Sequence, residues 1–364
     1  MTVEAILDAL RNVQEPDLGK DIVTLNMVKD IAIDGDKVSF TIVLTTPACP
    51  MKDKMRMASE NAVKLLVNKD AKVIVNFTAI TSSKRLQGDK ILGGVKNIIA
   101  VVSGKGGVGK STVSANLALA LSSAGATVGL MDADIYGPSV PIMFGVRGQR
   151  PMMKEVDGKG LIVPLEKYGI KLISIGLLVD EKNAVVWRGP MVSNAIRQFV
   201  TDVDWGELDY LVIDMPPGTG DIHLTLMQTV PVTGVVIVST PQKVALADAK
   251  KGIAMFGQSQ INVPILGLVE NMAYFTPAEL PNNKYYLFGK EGGKNLADEY
   301  DLNFLGQIPL VQSIMEGGDE GVPAMAGNDE VSKEAFRNLT ASIVRNIAIR
   351  NANIPATKIV EVKA

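Results

Sequence analysis

The segment Gly104-Lys105-Gly106-Gly107-Val108-Gly109-Lys110-Ser111-Thr112 has the residue types of a phosphate cradle and fits G-x-x-x-x-G-K-[ST]. Its glycines let successive backbone N–H groups turn inward around phosphate oxygens. Lys110 sets a point charge against β- and γ-phosphates, and the Ser111 hydroxyl can ligate Mg²⁺. Lys105 is a second lysine inside the loop, with no evident work in its own site. A cradle alone hydrolyses nothing, so carboxylates must follow to hold the metal and position water. Two places supply them: Asp132-Ala133-Asp134, and Asp214 at the head of Asp214-Met215-Pro216-Pro217-Gly218-Thr219-Gly220-Asp221.

These groups work together only if the chain brings them to one edge. The apolar run Asn97 to Val102 predicts a strand leading into the loop, and Lys110 to Ser122 predicts the helix after it. That helix N-terminus adds its dipole to the phosphate site. Further strands are expected at Thr127 to Met131, Lys171 to Ile175, Tyr210 to Ile213, Gly234 to Ser239, Ile265 to Val269 and Phe304 to Gln307. Helices are expected between most of them, for example Met191 to Val200 and Lys243 to Gly257. Continuous apolar strands alternating with helices predict an α/β fold, a mostly parallel sheet covered by helices on both faces. Ligands of such sheets bind at the carboxyl ends of the strands, where all three carboxylates fall.

Residues 1–82 read as a separate small α+β domain. Val3 to Val13 has helical spacing. Ile22-Val23 and Val28 to Ile33 predict short strands, Asp34-Gly35 a turn, Val38 to Leu44 the second arm of a hairpin, Lys52 to Val67 a helix and Ala71 to Phe77 another strand. Residues 83–96 are expected to be a linker, 97–350 the phosphate-loop domain and 351–364 a tail.

Lys plus Arg total 37 and Asp plus Glu 39, a net charge of −2 without any basic run, which argues against a nucleic-acid coat. No apolar stretch is long enough to span a membrane. The first residues carry charges throughout and lack the apolar core of a signal peptide, so a cytoplasmic location is expected. One cysteine excludes any intrachain disulfide or multi-cysteine metal site, so a thiolate-held group must be shared with another chain or ligand.

The loop with its extra lysine resembles the deviant Walker A class, which includes the MinD/ParA proteins and the nitrogenase iron protein. The resemblance implies a homodimer in which Lys105 reaches the partner's nucleotide. It implies that Asp134 orients water, that Asp132 accompanies Mg²⁺ and that Asp214 is the second switch carboxylate. It also implies that Asn271 reads adenine, favouring ATP. More narrowly, Asp132 to Ser139, Trp187-Arg188-Gly189-Pro190-Met191, the Asp214 run and Glu270 to Phe275 resemble the Mrp/ApbC-type iron–sulfur carrier ATPases. Glu15-Pro16-Asp17-Leu18-Gly19 and Thr45-Thr46-Pro47-Ala48-Cys49-Pro50 resemble the small SufT-type iron–sulfur assembly domain. Together these imply a slow Mg²⁺-dependent ATPase that carries iron–sulfur clusters to apoprotein clients alongside other assembly proteins.

One departure stands out. Where that family has Cys-Pro-x-Cys after Tyr274-Phe275, this chain reads Thr276-Pro277-Ala278-Glu279. Fe–S clusters take thiolates, so the usual cluster site is missing its ligands. Cys49 is the one remaining thiol, expected to have some thiolate character at a helix start among Lys52, Lys54 and Arg56. His223, the sole histidine, reads as a helix-start residue, and the sixteen methionines as core fillers. Two rival readings follow: a MinD/ParA-like nucleotide switch, and an assembly factor that holds no cluster itself.

Overall fold

A computed structural model describes residues 1–85, 91–156, 158–179, 189–258, 261–277, 279–280 and 282–357. The described chain divides into one unit of Met1–Ser83 with Val344–Ile354, and a second of Lys84–Ile343 with Pro355–Ala364.

In the first unit, Thr2 caps helix α1 (Val3–Leu10), its Oγ1 accepting from the Ala5 N–H at 3.2 Å. A two-residue pair, β1 (Gln14–Glu15) and β2 (Lys20–Asp21), precedes the hairpin of β3 (Val28–Asp34) and β4 (Lys37–Leu44). Helix α2 (Lys52–Leu66) then crosses to β5 (Lys72–Ala79), which lies parallel to β4. Alternation along β4 buries Val38, Phe40, Ile42 and Leu44 against Ile6, Leu10, Met55 and Val63. The strand expected at Ile22-Val23 is instead a turn. Asp21 Oδ1 accepts from the N–H groups of Val23 and Thr24 at 3.1 and 2.7 Å, which bends the backbone away from a ladder while Ile22 stays buried.

The second unit is built on β6 (Val95–Val102), β7 (Val128–Asp132), a side hairpin β8 (Met152–Val156) and β9 (Lys159–Val163), β10 (Leu165–Lys167), β11 (Ile170–Ser174), β12 (Leu208–Asp214), β13 (Gly234–Ser239), β14 (Ile265–Glu270) and β15 (Phe304–Gln307). Eight of these form one sheet in the order β10-β11-β7-β12-β6-β13-β14-β15, parallel throughout except for β10 against β11. The connecting helices are α3 (Lys110–Ser123), α4 (Val140–Met143), α5 (Gly189–Thr201), α6 (Asp221–Thr229), α7 (Lys243–Phe256) and α8 (Gly292–Glu299); α9 (Gln312–Glu320) and α10 (Glu330–Asn353) follow the last strand, and α10 from Val344 on belongs to the first unit. Strand β6 sits centrally and is buried almost throughout, as its unbroken apolar run requires. Gly129 of β7 faces the Trp205 ring so closely that a Cβ there would meet it at 2.7 Å.

Of the expected linker, residues 86–90 lie outside the described residues. On its described sides, Arg85 donates to the carbonyls of Ile91 and Val95 at 2.6 Å each and also to that of Leu92. Strand β6 begins at Val95, two residues before the expected Asn97. Trp187, Arg188, Ala278 and the last seven residues of the expected tail also lie outside the described residues. Among those described, no helix is long and apolar enough to cross a membrane.

Candidate functional site

Parallel pairing in register places the carboxyl ends of β6, β7 and β12 side by side, with Asp214 opposite both Asp132 and Val101. The cradle follows β6 and closes on α3, whose first residue is Lys110. Gly107 and Gly109 hold φ of +79° and +81°, a left-handed backbone that other residues adopt at a cost. At Gly104 a Cβ would lie 2.2 Å from the backbone of Asp248 in α7, so only glycine lets that helix approach the loop.

Lys110 is 6% exposed and already paired. Its Nζ donates to Asp214 Oδ1 at 2.8 Å, lies 3.5 Å from Asp134 Oδ2 and reaches Ser111 Oγ at 3.2 Å. Ser114 Oγ, which the sequence reading passed over, donates to the same Asp214 oxygen at 2.8 Å. Asp214 is fully buried, and its Oδ2 has no hydrogen-bond partner among the described residues. Ser111 Oγ and Asp214 Oδ1 share Lys110 Nζ as a donor and Asp214 Oδ2 is unpaired, and hard oxygen donors of this kind fit Mg²⁺. Burial pushes the Asp134 carboxyl above the usual range, against the opposing pull of Lys110.

Asp132 is held by the chain's own hydrogen bonds. Its Oδ2 accepts from Ser174 Oγ at 2.9 Å and the Val140 N–H at 3.4 Å, and its Oδ1 accepts from the Asp134 N–H at 3.1 Å. These bonds use both oxygens to fasten the loop that carries Asp134. Complete burial, then the neighbouring Asp214 carboxylate, push Asp132 up to about 8. The second loop is docked on the cradle, the Gly218 N–H donating to the Ser103 carbonyl at 2.8 Å.

Asn271 follows β14 and points back at the cradle, its Nδ2 donating to the Val108 carbonyl at 2.8 Å. That leaves its Oδ1 as the acceptor for a base. Met272, next in the chain, sits in the left-handed region at φ +54°. A cavity of about 470 Å³ opens beside Lys110, Ser111, Thr112, Asp134 and Asn271, within the range of a nucleotide-sized ligand. Its apolar wall is Ile142, Met143, Leu310, Ile314 and Met315. The wall residues of α9 carry no chemistry of their own, and no sequence signal singled them out. Lys105 is exposed on the loop and does not line this cavity.

Elsewhere the expected ligands are not brought together. Phe275 and Tyr285 exchange two backbone hydrogen bonds of 2.8 Å, making a small hairpin that presents Thr276 and Glu279. No group of three or more Cys, His, Asp or Glu side chains among the described residues could hold a metal ion. Cys49 lies near Glu15 and Asp17, so the two motifs of the first unit do meet. The expected thiolate character is overturned there: burial pushes the thiol up, Glu15 and Asp17 add to it, and the Met51 backbone hydrogen bond and Lys52 offset them only partly.

Comparison with known proteins places these features among relatives. Residues 94–346 match the family described as NUBPL iron-transfer P-loop NTPase, and residues 3–75 match the family described as iron-sulfur cluster assembly protein. An iron-sulfur cluster carrier protein of Synechocystis is 48% identical over 351 residues, covering 96% of this chain and 99% of that protein. The Escherichia coli iron-sulfur cluster carrier protein is 42% identical over 353 residues, covering 96% and 94%. Among solved structures, a nucleotide-binding protein from Archaeoglobus fulgidus in complex with ADP superimposes with a TM-score of 0.55 at 41% identity, over 63% of this chain and 88% of that one.

Proposed function

Since the chain belongs to the iron-transfer P-loop NTPase family, we propose that it binds and hydrolyses ATP and carries iron–sulfur clusters to apoproteins. The observation that carries this reading is the group of buried Lys110 at the start of α3, buried Asp214 at the end of β12 and half-buried Asp134 just past β7. When ATP enters, Lys110 exchanges its carboxylate partners for the β- and γ-phosphates. Asp134 is then free to hold a water in line with the γ-phosphorus, and the products are ADP and phosphate. Ser111 and Asp214 would hold Mg²⁺, which when bound neutralises charge on the phosphate oxygens. Asn271 presents Oδ1 to the amino group of adenine. Lys105, exposed on the loop, reaches the nucleotide of a second copy in a homodimer and stabilises charge there. Turnover is slow because each cycle waits on cargo or client, and the whole cycle runs in the cytoplasm.

Iron and sulfide are cargo in this scheme. Cys49 is the chain's one thiolate candidate, so a cluster is completed by a client's cysteines or small thiols and is held weakly. Thr276 and Glu279 favour a second reading, an ATP-dependent assembly factor that holds no cluster itself. Anaerobic reconstitution with iron and sulfide, followed by iron quantification and transfer to an apo-ferredoxin with and without Mg–ATP, separates the two. Substoichiometric iron that moves to the acceptor supports the carrier. A chain that never takes up iron, yet hydrolyses ATP, supports the assembly factor.

A further inference from the structure

His223 is the sole histidine of the chain and lies in the first turn of α6, immediately after the loop that follows Asp214. It is 1% exposed, and neither ring nitrogen has a hydrogen-bond partner among the described residues. Buried polar groups are paired in the great majority of cases; here the carbonyls of Gly220 and Pro216 lie near the ring without reaching full hydrogen-bond geometry, which leaves it room for a better partner. Burial pushes the ring down to about 4, outweighing the nearby carbonyls of Gly220 and Pro216, so at neutral pH it offers one donor and one acceptor.

Its surroundings indicate where the partner comes from. His223 lines a cavity of about 560 Å³ with walls from two loops: Asp134, Tyr136 and Gly137 from the one after β7, Pro216, Pro217 and Gly220 from the one after β12. Asp134 and Pro217 also line the nucleotide cavity, so the two spaces share a wall made of the carboxylate assigned to orient water. In the arrangement described, Asp134 leans on Lys110 and Gly218 is docked on Ser103. Both contacts involve groups that nucleotide binding rearranges.

We propose that His223 is a positioning residue for ATP hydrolysis: it anchors water in the cavity behind Asp134, and this water holds the Asp134 carboxylate and the lytic water in line once Lys110 has turned to the phosphates. The inference rests on the ATPase reading above. With nucleotide bound, the imidazole takes up its hydrogen bonds to that water. The position couples closure of the two loops to turnover without contact between His223 and the nucleotide.

The test uses the full chain with Mg²⁺ and ATP. His223→Phe keeps ring volume and removes both polar atoms, and His223→Gln restores a donor and an acceptor. Phe is expected to lower kcat about tenfold while leaving KM for ATP within about twofold, since misplacing a reacting group costs turnover rather than binding. Gln is expected to recover most of the loss. Wild-type chain that hydrolyses ATP alongside a His223→Phe variant turning over at the same rate overturns the inference and leaves the ATPase reading standing. Wild-type chain with no ATPase activity overturns both. Should the Phe variant fail to fold, ¹⁵N NMR of the wild-type protein decides, because a single histidine gives a single pair of ring resonances. Adding Mg²⁺ with a non-hydrolysable ATP analogue is expected to shift one ring nitrogen and slow exchange of its proton. An unchanged pair overturns the proposal.

Discussion

Strand β14 leads to two regions that differ in kind. Its end carries Asn271, which braces the phosphate cradle, and four residues later the chain enters the hairpin of Phe275 and Tyr285. The cradle side holds the groups of a phosphate site: turned glycines, a buried lysine, two carboxylates and a helix start. The hairpin side holds a hydroxyl and an exposed carboxylate at the positions where the family resemblance implies thiolates. Phosphate recognition is done by backbone and by a few hard charges, which a fold can assemble in advance. Cargo of iron and sulfide demands soft ligands, and no arrangement of the hairpin backbone replaces them.

The sharpest way to break this contrast is Lys110→Ala. It should lower kcat/KM for ATP at least about 100-fold, the scale of losing a preorganised charge. It also leaves the buried Asp214 charge without its cation, with only the Ser114 hydroxyl beside it, so the variant should unfold at lower urea than wild type. Near-normal turnover would remove the cradle from the mechanism. Next comes Asp134→Asn, expected to keep ATP affinity and cut kcat about 100-fold. Mixing it with Lys105→Ala should restore part of the activity if each site borrows a lysine from the other copy, and no recovery in a proven mixed dimer would argue for self-contained sites. The contrast is sharpened from the other side by Thr276→Cys with Glu279→Cys. That double variant should retain several times more iron than wild type after anaerobic reconstitution, whereas Cys49→Ser should retain less. Equal iron in all three would show that the hairpin is not where cargo is lost or gained. The smallest effect concerns Cys49 alone. Its raised thiol should react with iodoacetamide more slowly than free cysteine at pH 8, and the rate should keep climbing above the ordinary thiol range.

The sequence carried most of the second unit, because its strands are buried on both faces and therefore read as unbroken apolar runs. Gly234–Ser239 and Phe304–Gln307 coincide with expectation at both ends. What stayed hidden depended on distance along the chain. The hairpin of β8 and β9 is exposed along β8 and lacks the alternation of a half-buried strand. Helix α9 has no fully buried residue, yet it supplies the wall opposite the cradle. Asp132 was legible as a carboxylate at a strand end, but its engagement by Ser174 joins residues 42 apart. Cys49 was misjudged for the same reason: its neighbours in sequence are lysines, and its neighbours in space include Glu15 and Asp17.

The ion pair of Lys110 and Asp214, at 2.8 Å with both groups almost out of water, makes the empty cradle electrically self-sufficient. A lone anion that lured the lysine away would strand a buried carboxylate. A lone cation drawn to the carboxylate would strand the lysine. Only a visitor that brings both signs at once leaves nothing unpaired, and Mg–ATP is such a visitor. The cradle is therefore expected to act as a lock for a salt rather than for a phosphate, with titrations of Mg–ATP binding tighter than those of orthophosphate or metal-free ATP.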